Sequence, residues 1–374
     1  MTNKLTNYQA MLDDKNYSPP TPNSDNLDRI IKSKELLRVN SSKPINFSSS
    51  IISNFGIGAI FPNTINVVQG KKGSHKSRLT EILCIVMLSQ MYESEYIGFL
   101  RDNSKEYAVL YVDTERNIKE QFPYAIQKIK EKSGYKIDEH PSNFDYISLI
   151  DVERSQRLDT LTEYLKITRE KYKDCHLFIV MDVITDCIEN FNDPRESMKL
   201  VDLLNETINN YDVTFLCVIH ENPSSGDKAR GHLGTEIINK ASQVMQIGFE
   251  KDSRNNDTEL IRLKFLYCRN TKKLDTIFLR YSDELEGLIA ASEEELDDVK
   301  HQKQTKANIP EVQVWLKENL GGEITKKTLI SNLKQAFDCG ERTIEDRLKE
   351  LLDSEFLIKE SKGKEVLYRL AIPF

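Results

Sequence analysis

The stretch Gly70-Lys-Lys-Gly73-Ser74-His75-Lys76-Ser77-Arg78 concentrates glycines, one lysine and one hydroxyl in a few residues. It lies between a β-branched apolar run, Ile65–Gln69, and a helix-like segment, Leu79 to Met91. A glycine, four residues, then Gly-Lys-Ser/Thr is the spacing of a phosphate-binding loop. Gly70, Lys76 and Ser77 fit that spacing, and His75 takes the last glycine position. Consecutive backbone N–H groups and a helix N-terminus make an anion cradle. Lys76 can reach the β- and γ-phosphates of a nucleotide, and the Ser77 hydroxyl can ligate Mg²⁺. Gly73, Ser74, His75 and Arg78 complete the candidate nucleotide-binding stretch. A Cβ at position 75 crowds the turn over the β-phosphate, where glycine lets the backbone approach. The loop accepts His75 if its φ there is not strongly positive; otherwise nucleotide binding is weakened or lost.

Three further groups each end an apolar strand. Val109-Leu-Tyr-Val-Asp113-Thr-Glu115 puts carboxylates about 40 residues after the loop, a spacing read directly from the sequence. A carboxylate at such a strand end can orient a water and take its proton; a solvated strand end is the alternative. Leu177-Phe-Ile-Val-Met-Asp182 is five apolar residues and an aspartate, suited to holding Mg²⁺ through its water shell. Phe215-Leu-Cys-Val-Ile-His220 ends in a histidine that can touch the γ-phosphate, or serve as an ordinary hydrogen-bonding residue. Lys76, Ser77, Glu115 and Asp182, all four kept together, argue for the tolerant form of the loop.

These groups require a scaffold that aligns strand ends. From about 46 to 290, apolar runs alternate with amphipathic stretches: Ile65–Gln69, Ala108–Val112, Tyr146–Leu149, Leu177–Met181, Thr214–Ile219, Val244–Phe249, Leu260–Tyr267 and Thr276–Leu279. Short, continuous apolar runs separated by helices predict an α/β fold with a mostly parallel sheet. The last two runs are close together and predict an antiparallel pair. Residues 1–45 are polar and read as a partly extended arm, with a short helix over Lys32–Leu37. Residues 291–309 carry dense charge and read as a linker. After them, helices at Glu311–Leu320, Lys327–Phe337 and Glu341–Leu352 precede strands at Phe356–Lys359 and Glu365–Leu370, which is winged-helix order.

The chain has 374 residues and a net charge of −7, so contact with nucleic acid has to come from local patches. Six scattered cysteines with no Cys-x-x-Cys suit a reduced, cytoplasmic protein. The polar N-terminus has no signal-peptide pattern, and no apolar run approaches a membrane span.

The order of these motifs resembles the RecA-type P-loop ATPases, and among them the hexameric helicases of the plasmid RepA and DnaB types. The resemblance covers roughly 50–285. It implies an ATPase that uses ATP and Mg²⁺, assembles as a homo-oligomeric ring, and acts on DNA in plasmid or mobile-element replication. It places Gly70–Ser77 at the Walker A position, Glu115 as the catalytic carboxylate, Asp182 at Walker B and His220 as the sensor. Lys228-Ala-Arg230-Gly231-His-Leu-Gly234 resembles the Arg-Gly loop that faces single-stranded DNA in the channel. A mobile solvated loop, or Arg230 on the nucleotide, are the alternatives. Tyr267-Cys-Arg269-Asn270 resembles the segment whose arginine reaches a neighbouring subunit's γ-phosphate; a surface pair with Asp275 or Glu284 is the alternative.

In a winged helix, the third helix enters the major groove and the wing meets the backbone. Here Arg342 on that helix, and Lys362 and Lys364 in the wing, are the candidate duplex contacts. Residues 301–374 hold 13 Lys and Arg against 12 Asp and Glu, so strong non-specific affinity is not expected. A protein-binding winged helix remains open. Two other functional readings stand beside the ring motor: a nucleotide-gated DNA-binding regulator, and a RecA-like scaffold that binds no nucleotide.

Overall fold

The computed structural model describes residues 24–90, 96–222, 227–251, 256–296, 307–362 and 365–371. Two units partition the chain, divided after Ser48. In the first, the described residues form one helix, α1 (Ser24–Ser41), longer than the expected short helix over Lys32–Leu37. The expected extended segment before it lies outside the described residues.

The second unit is built on a nine-stranded sheet. Its strands are β3 (Ile65–Gly70), β5 (Tyr107–Asp113), β6 (Phe144–Ser148), β7 (His176–Asp182), β8 (Val213–His220), β9 (Gln243–Lys251), β10 (Asp257–Cys268), β11 (Ile277–Ser282) and β12 (Gly287–Ala290). They lie in the order β12-β11-β10-β9-β3-β8-β7-β5-β6. The strands from β9 to β6 in that order are parallel. The other three add antiparallel pairs at one edge. The expected α/β class with a mostly parallel sheet is the one found. The antiparallel pairing of β10 with β11 is also as expected.

Alternate side chains of the central strands enter two separate cores. Val68, Val109, Tyr111, Val180 and Leu216 face one, and Val67, Leu110, Val112, Ile179 and Cys217 face the other. Helices α2 (Lys76–Leu88) and α3 (Gln121–Lys132) cover the first face. Helices α4 (Arg154–Lys171), α5 (Pro194–Asn210) and α6 (Gly231–Lys240) cover the second. Burial on both faces explains why these strands read as unbroken apolar runs. Strand β10, at the antiparallel edge, alternates buried and part-exposed residues instead.

A small sheet of β1 (Ile52–Asn54), β2 (Ile57–Ile60) and β4 (Phe99–Arg101) was not foreseen, nor was β12. These strands have three or four residues each, too few to show a period. Helix α2 begins three residues before the expected Leu79 and directly after the glycine-containing loop.

Residues 307–370 enclose a core of their own, with Val312, Leu316, Leu329, Leu333, Ile344, Leu348 and Leu351 buried. Three helices surround it: α7 (Ile309–Asn319), α8 (Lys326–Phe337) and α9 (Glu341–Asp353). The strands β13 (Ile324–Thr325), β14 (Leu357–Lys362) and β15 (Glu365–Leu370) pair in the order β13-β15-β14. Asn308 caps α7 by accepting from the Glu311 N–H at 2.8 Å, and Thr325 caps α8 through Thr328 N–H. The charged segment expected as a linker falls partly on 297–306, outside the described residues.

Candidate functional site

Parallel pairing brings the C-terminal ends of β3, β8, β7 and β5 to one edge of the sheet. Gly70 is the Cα partner of His220, and Asp113 is the partner of Asp182. Ligands of open α/β sheets bind beyond this edge, beside the point where the strand order reverses.

Gly70 admits no side chain, because a Cβ would lie 2.3 Å from the Ile247 carbonyl oxygen and 2.4 Å from Ser74 Oγ. Gly73 turns the chain with φ of +77° and open space before it. The Lys71 carbonyl then accepts three bonds: from Ser74 N–H at 3.2 Å, Ser74 Oγ–H at 2.8 Å and Lys76 Nζ at 2.7 Å. Helix α2 starts without a side-chain cap, so its first N–H groups face the loop. Lys76 is only 6% exposed. Burial lowers its pKa from the ordinary lysine value, and the carboxylates of Asp182, Glu115 and Glu221 pull the other way. A buried ammonium resting on a carbonyl, beside uncapped helix N–H groups, fits the phosphates of a nucleotide.

His75 is left-handed, with φ 64° and ψ 24°. The expectation that a tolerant loop would avoid positive φ here is therefore corrected. The imidazole does not occupy the cradle. It stacks on Tyr281 with ring centroids 5.4 Å apart and meets Phe249 edge-on at 5.5 Å. Those rings come from β11 and β9. Burial, and then the charge of Arg78, lower the His75 pKa from its ordinary value.

Asp182 Oδ2 accepts from Tyr111 O–H at 2.7 Å and Arg116 at 3.2 Å. Ser77 stands on the first turn of α2, so Asp182 and Ser77 are the residues that could hold Mg²⁺, one through its carboxylate and one through its hydroxyl. Asp113 shapes the backbone instead. Its Oδ1 accepts from the N–H groups of Glu115 and Arg116 at 3.1 and 2.8 Å, which fixes the turn that projects Glu115. Glu115 Oε1 lies 3.5 Å from His220 Nε2. That contact, first among the causes, lowers the Glu115 pKa from the ordinary glutamate value and keeps it an ionised acceptor. A carboxylate of this kind can take a proton from a water.

Arg116 escaped the reading of the sequence. It bonds Asp113 at 2.6 Å, Glu81 at 3.0 Å, Asp182 at 3.2 Å and the Tyr111 hydroxyl at 2.8 Å. Its own side chain is 18% exposed, and its three carboxylates are almost fully buried. One signal existed: Glu81 stands on the buried face of an apolar helix, where a carboxylate needs a cation. Arg78, expected at the nucleotide, bonds Glu81 at 2.9 Å.

A second polar cluster lies behind His220. Glu221 Oε1 accepts from Gln69 Nε2 at 2.9 Å and Gln246 Nε2 at 2.6 Å. Gln69 also donates to the Asp227 carbonyl at 3.1 Å, and Gln246 to Asp227 Oδ1 at 2.5 Å. The stem of the 221–230 loop is thus tied to the residue before Gly70. Arg230 N–H donates to the His220 carbonyl at 2.8 Å, so Lys228 and Arg230 emerge beside the same strand end. Both are exposed.

Arg269 lies elsewhere. Cys268 pairs with Gln243, which pairs with Asn66, at the start of β3 rather than its end. The Arg269 guanidinium donates to the Asn239 carbonyl, not to Asp275 or Glu284. Arg342 is exposed on α9, in the 307–370 unit; Lys364 and the side chain of Lys362 lie outside the described residues.

No family model matches the chain, and no curated protein matches it. Solved structures do. A RadB recombinase is similar at 14% identity and a TM-score of 0.42, over 62% of this chain and 92% of that one. A KaiC-like protein, PH0186 from Pyrococcus horikoshii OT3, matches at 14% identity and 0.45, over 67% of this chain and all of that one. Flagellar accessory protein FlaH from Methanocaldococcus jannaschii matches at 18% identity and 0.45, over 64% and 93%. At such low identity, the roles of individual residues rest on the geometry above. Among the described residues, no helix is long and apolar enough to cross a membrane.

Proposed function

We propose that this chain is an ATP-hydrolysing ring motor of the RepA or DnaB helicase type, acting on DNA in replication of a plasmid or mobile element. The carrying observation is the convergence of Lys76, Glu115, Asp182 and His220 at one sheet edge, beside the loop after Gly70. A bound magnesium nucleotide supplies the phosphoryl group and the cation that offsets its charge. Lys76 leaves the Lys71 carbonyl and holds the phosphates. Ser77 and Asp182 hold the metal. Glu115, kept ionised by His220, orients the water and accepts its proton. His220 reports the γ-phosphate to the loop that carries Lys228 and Arg230. Arg269 completes the site of an adjoining subunit. The 307–370 unit is a winged helix that meets duplex DNA through Arg342, Lys362 and Lys364.

The test is ATP turnover with and without single-stranded DNA, and particle mass with ATP and Mg²⁺. The motor requires turnover that DNA raises and that Lys76→Ala lowers by about a hundredfold or more, the scale of losing one electrostatic contact to the reacting group. Sequence-specific binding to duplex DNA without stimulated turnover indicates the regulator. Failure to bind a fluorescent ATP analogue indicates the scaffold; the outward packing of His75 weighs against that outcome.

A further inference from the structure

An open groove of about 720 Å³ runs along α6 and is separate from the nucleotide cradle. Phe191, Arg230, His232, Asn239 and Tyr267 are among its lining residues. Arg230 is the N-cap of α6 and Asn239 is in its last turn. Ten helical residues at 1.5 Å each make α6 about 15 Å long. Cations gather at one end, where Lys228 and Arg230 are exposed. An aromatic ring stands at the other, where Tyr267 is 57% exposed on β10.

Three features of this groove suit one kind of occupant. Asp227 is the only carboxylate of the lining among the described residues, and its Oδ1 is held by Gln246. The surface therefore favours an anion. Arg230 is held over the Phe191 ring at 5.0 Å, which fixes its direction without neutralising it. Tyr267 offers a large planar face that its own fold leaves uncovered. A cation set apart from a free aromatic face matches a phosphate chain with unstacked bases. A duplex keeps its bases stacked and has no use for such a ring.

The groove is also preformed. Gly231 leaves no room for a Cβ, which would lie 2.5 Å from Phe191, and a Cβ on Gly234 would lie 2.7 Å from the Ala229 carbonyl carbon. The Gln69–Glu221–Gln246–Asp227 cluster braces the stem of the loop that carries Lys228.

We infer that this groove binds single-stranded nucleic acid, with Arg230 and Lys228 on the phosphates and Tyr267 as a stacking platform for a base. The inference rests on the DNA-acting reading above and gives Tyr267 a role outside that reading. Tyr267 precedes Arg269 by two residues, so one short segment would serve both a base and a neighbouring subunit.

The experiment measures binding of fluorescent oligo-dT to the full chain with Mg²⁺ and a non-hydrolysable ATP analogue, over a range of salt. Tyr267→Ala should weaken binding about tenfold while leaving the salt slope unchanged, because stacking releases no counterions. Tyr267→Phe should bind like the parent chain. Arg230→Ala should weaken binding and reduce the salt slope by about one. Parent-like binding by Tyr267→Ala overturns the inference and leaves the DNA-acting reading standing. So does a Tyr267→Ala chain whose particle mass falls while each particle still binds, which would make the ring a contact between copies. No oligo-dT binding by the parent chain, with ATP turnover intact, overturns both.

Discussion

His75 and Tyr281 stack at 5.4 Å, tying the glycine-containing loop of residues 70–77 to the antiparallel edge of the sheet. The contact compensates for a left-handed backbone at a residue with a Cβ, which costs roughly 1–2 kcal/mol. An aromatic pair contributes about 0.5–1.5 kcal/mol beyond its buried area. His75→Gly removes both and should change stability by less than about 1 kcal/mol. His75→Ala keeps the strain and loses the ring, so it should be destabilised by about 1–2 kcal/mol. Both should still bind nucleotide. Urea unfolding and ATP-analogue binding check this; loss of nucleotide binding in His75→Gly would place the imidazole in the cradle after all.

The same histidine predicts a pH dependence. Burial, then Arg78, holds its folded pKa below the ordinary value of 6.5. The unfolded chain therefore binds the proton more readily, so stability rises with pH in the window between the two values. The contribution is fully present above 6.5 and is lost as pH falls through the lower, folded value. Unfolding midpoints taken from neutral to mildly acidic pH should drop more steeply for the parent chain than for His75→Gly. Parallel curves would contradict it.

Arg116 joins Asp113, Asp182 and Glu81. Arg116→Met leaves three buried carboxylates without their shared cation, and breaking such pairs costs about 3–5 kcal/mol. Arg116→Lys should recover only part, because one ammonium cannot reproduce the planar fork that spans these partners. Urea midpoints measure the loss. An Arg116→Met chain as stable as its parent would mean the carboxylates had taken up protons at little cost.

Gln246 links Glu221 and Asp227, and Gln69, the residue before Gly70, bonds the same pair. Gln246→Leu removes a donor from a buried carboxylate, a cost of about 1–3 kcal/mol. The 221–230 stem should loosen first. Limited proteolysis with and without an ATP analogue checks this: the parent loop should gain protection with nucleotide, and the Gln246→Leu loop should gain little. Equal protection would show that the cluster carries no coupling.

The strand ends were legible because burial on both sheet faces forces unbroken apolar runs, and a polar residue closing such a run stands out. Lys76, Asp182 and His220 were visible in that way. Arg116 was not, because its partners come from β5, β7 and α2 and meet only after the chain folds. The conformation of His75 was hidden for a related reason. What tolerates its positive φ is a pair of rings about 174 and 206 residues further on, at Phe249 and Tyr281. Short strands such as β1 and β4 left no periodic trace. The Glu221 cluster was missed because glutamines at strand positions look like exposed residues until their neighbours are known.

Arg269 is five strand residues away from its own cradle. Its neighbour Cys268 registers through Gln243 onto Asn66, and Gly70 ends that strand. At about 3.3 Å per residue, the separation along the strand is roughly 16 Å. Arg269 can therefore serve a γ-phosphate only on another subunit, after releasing the Asn239 carbonyl. Arg269→Ala should cut turnover by about a thousandfold, the lower range for an arginine supplied in trans. Lys76→Ala should be inactive through its own cradle. Mixed together under conditions that exchange subunits, the two inactive chains should regain turnover, because some junctions then pair an intact Lys76 with an intact Arg269. A mixture that exchanges subunits and stays inactive would remove Arg269 from the reaction.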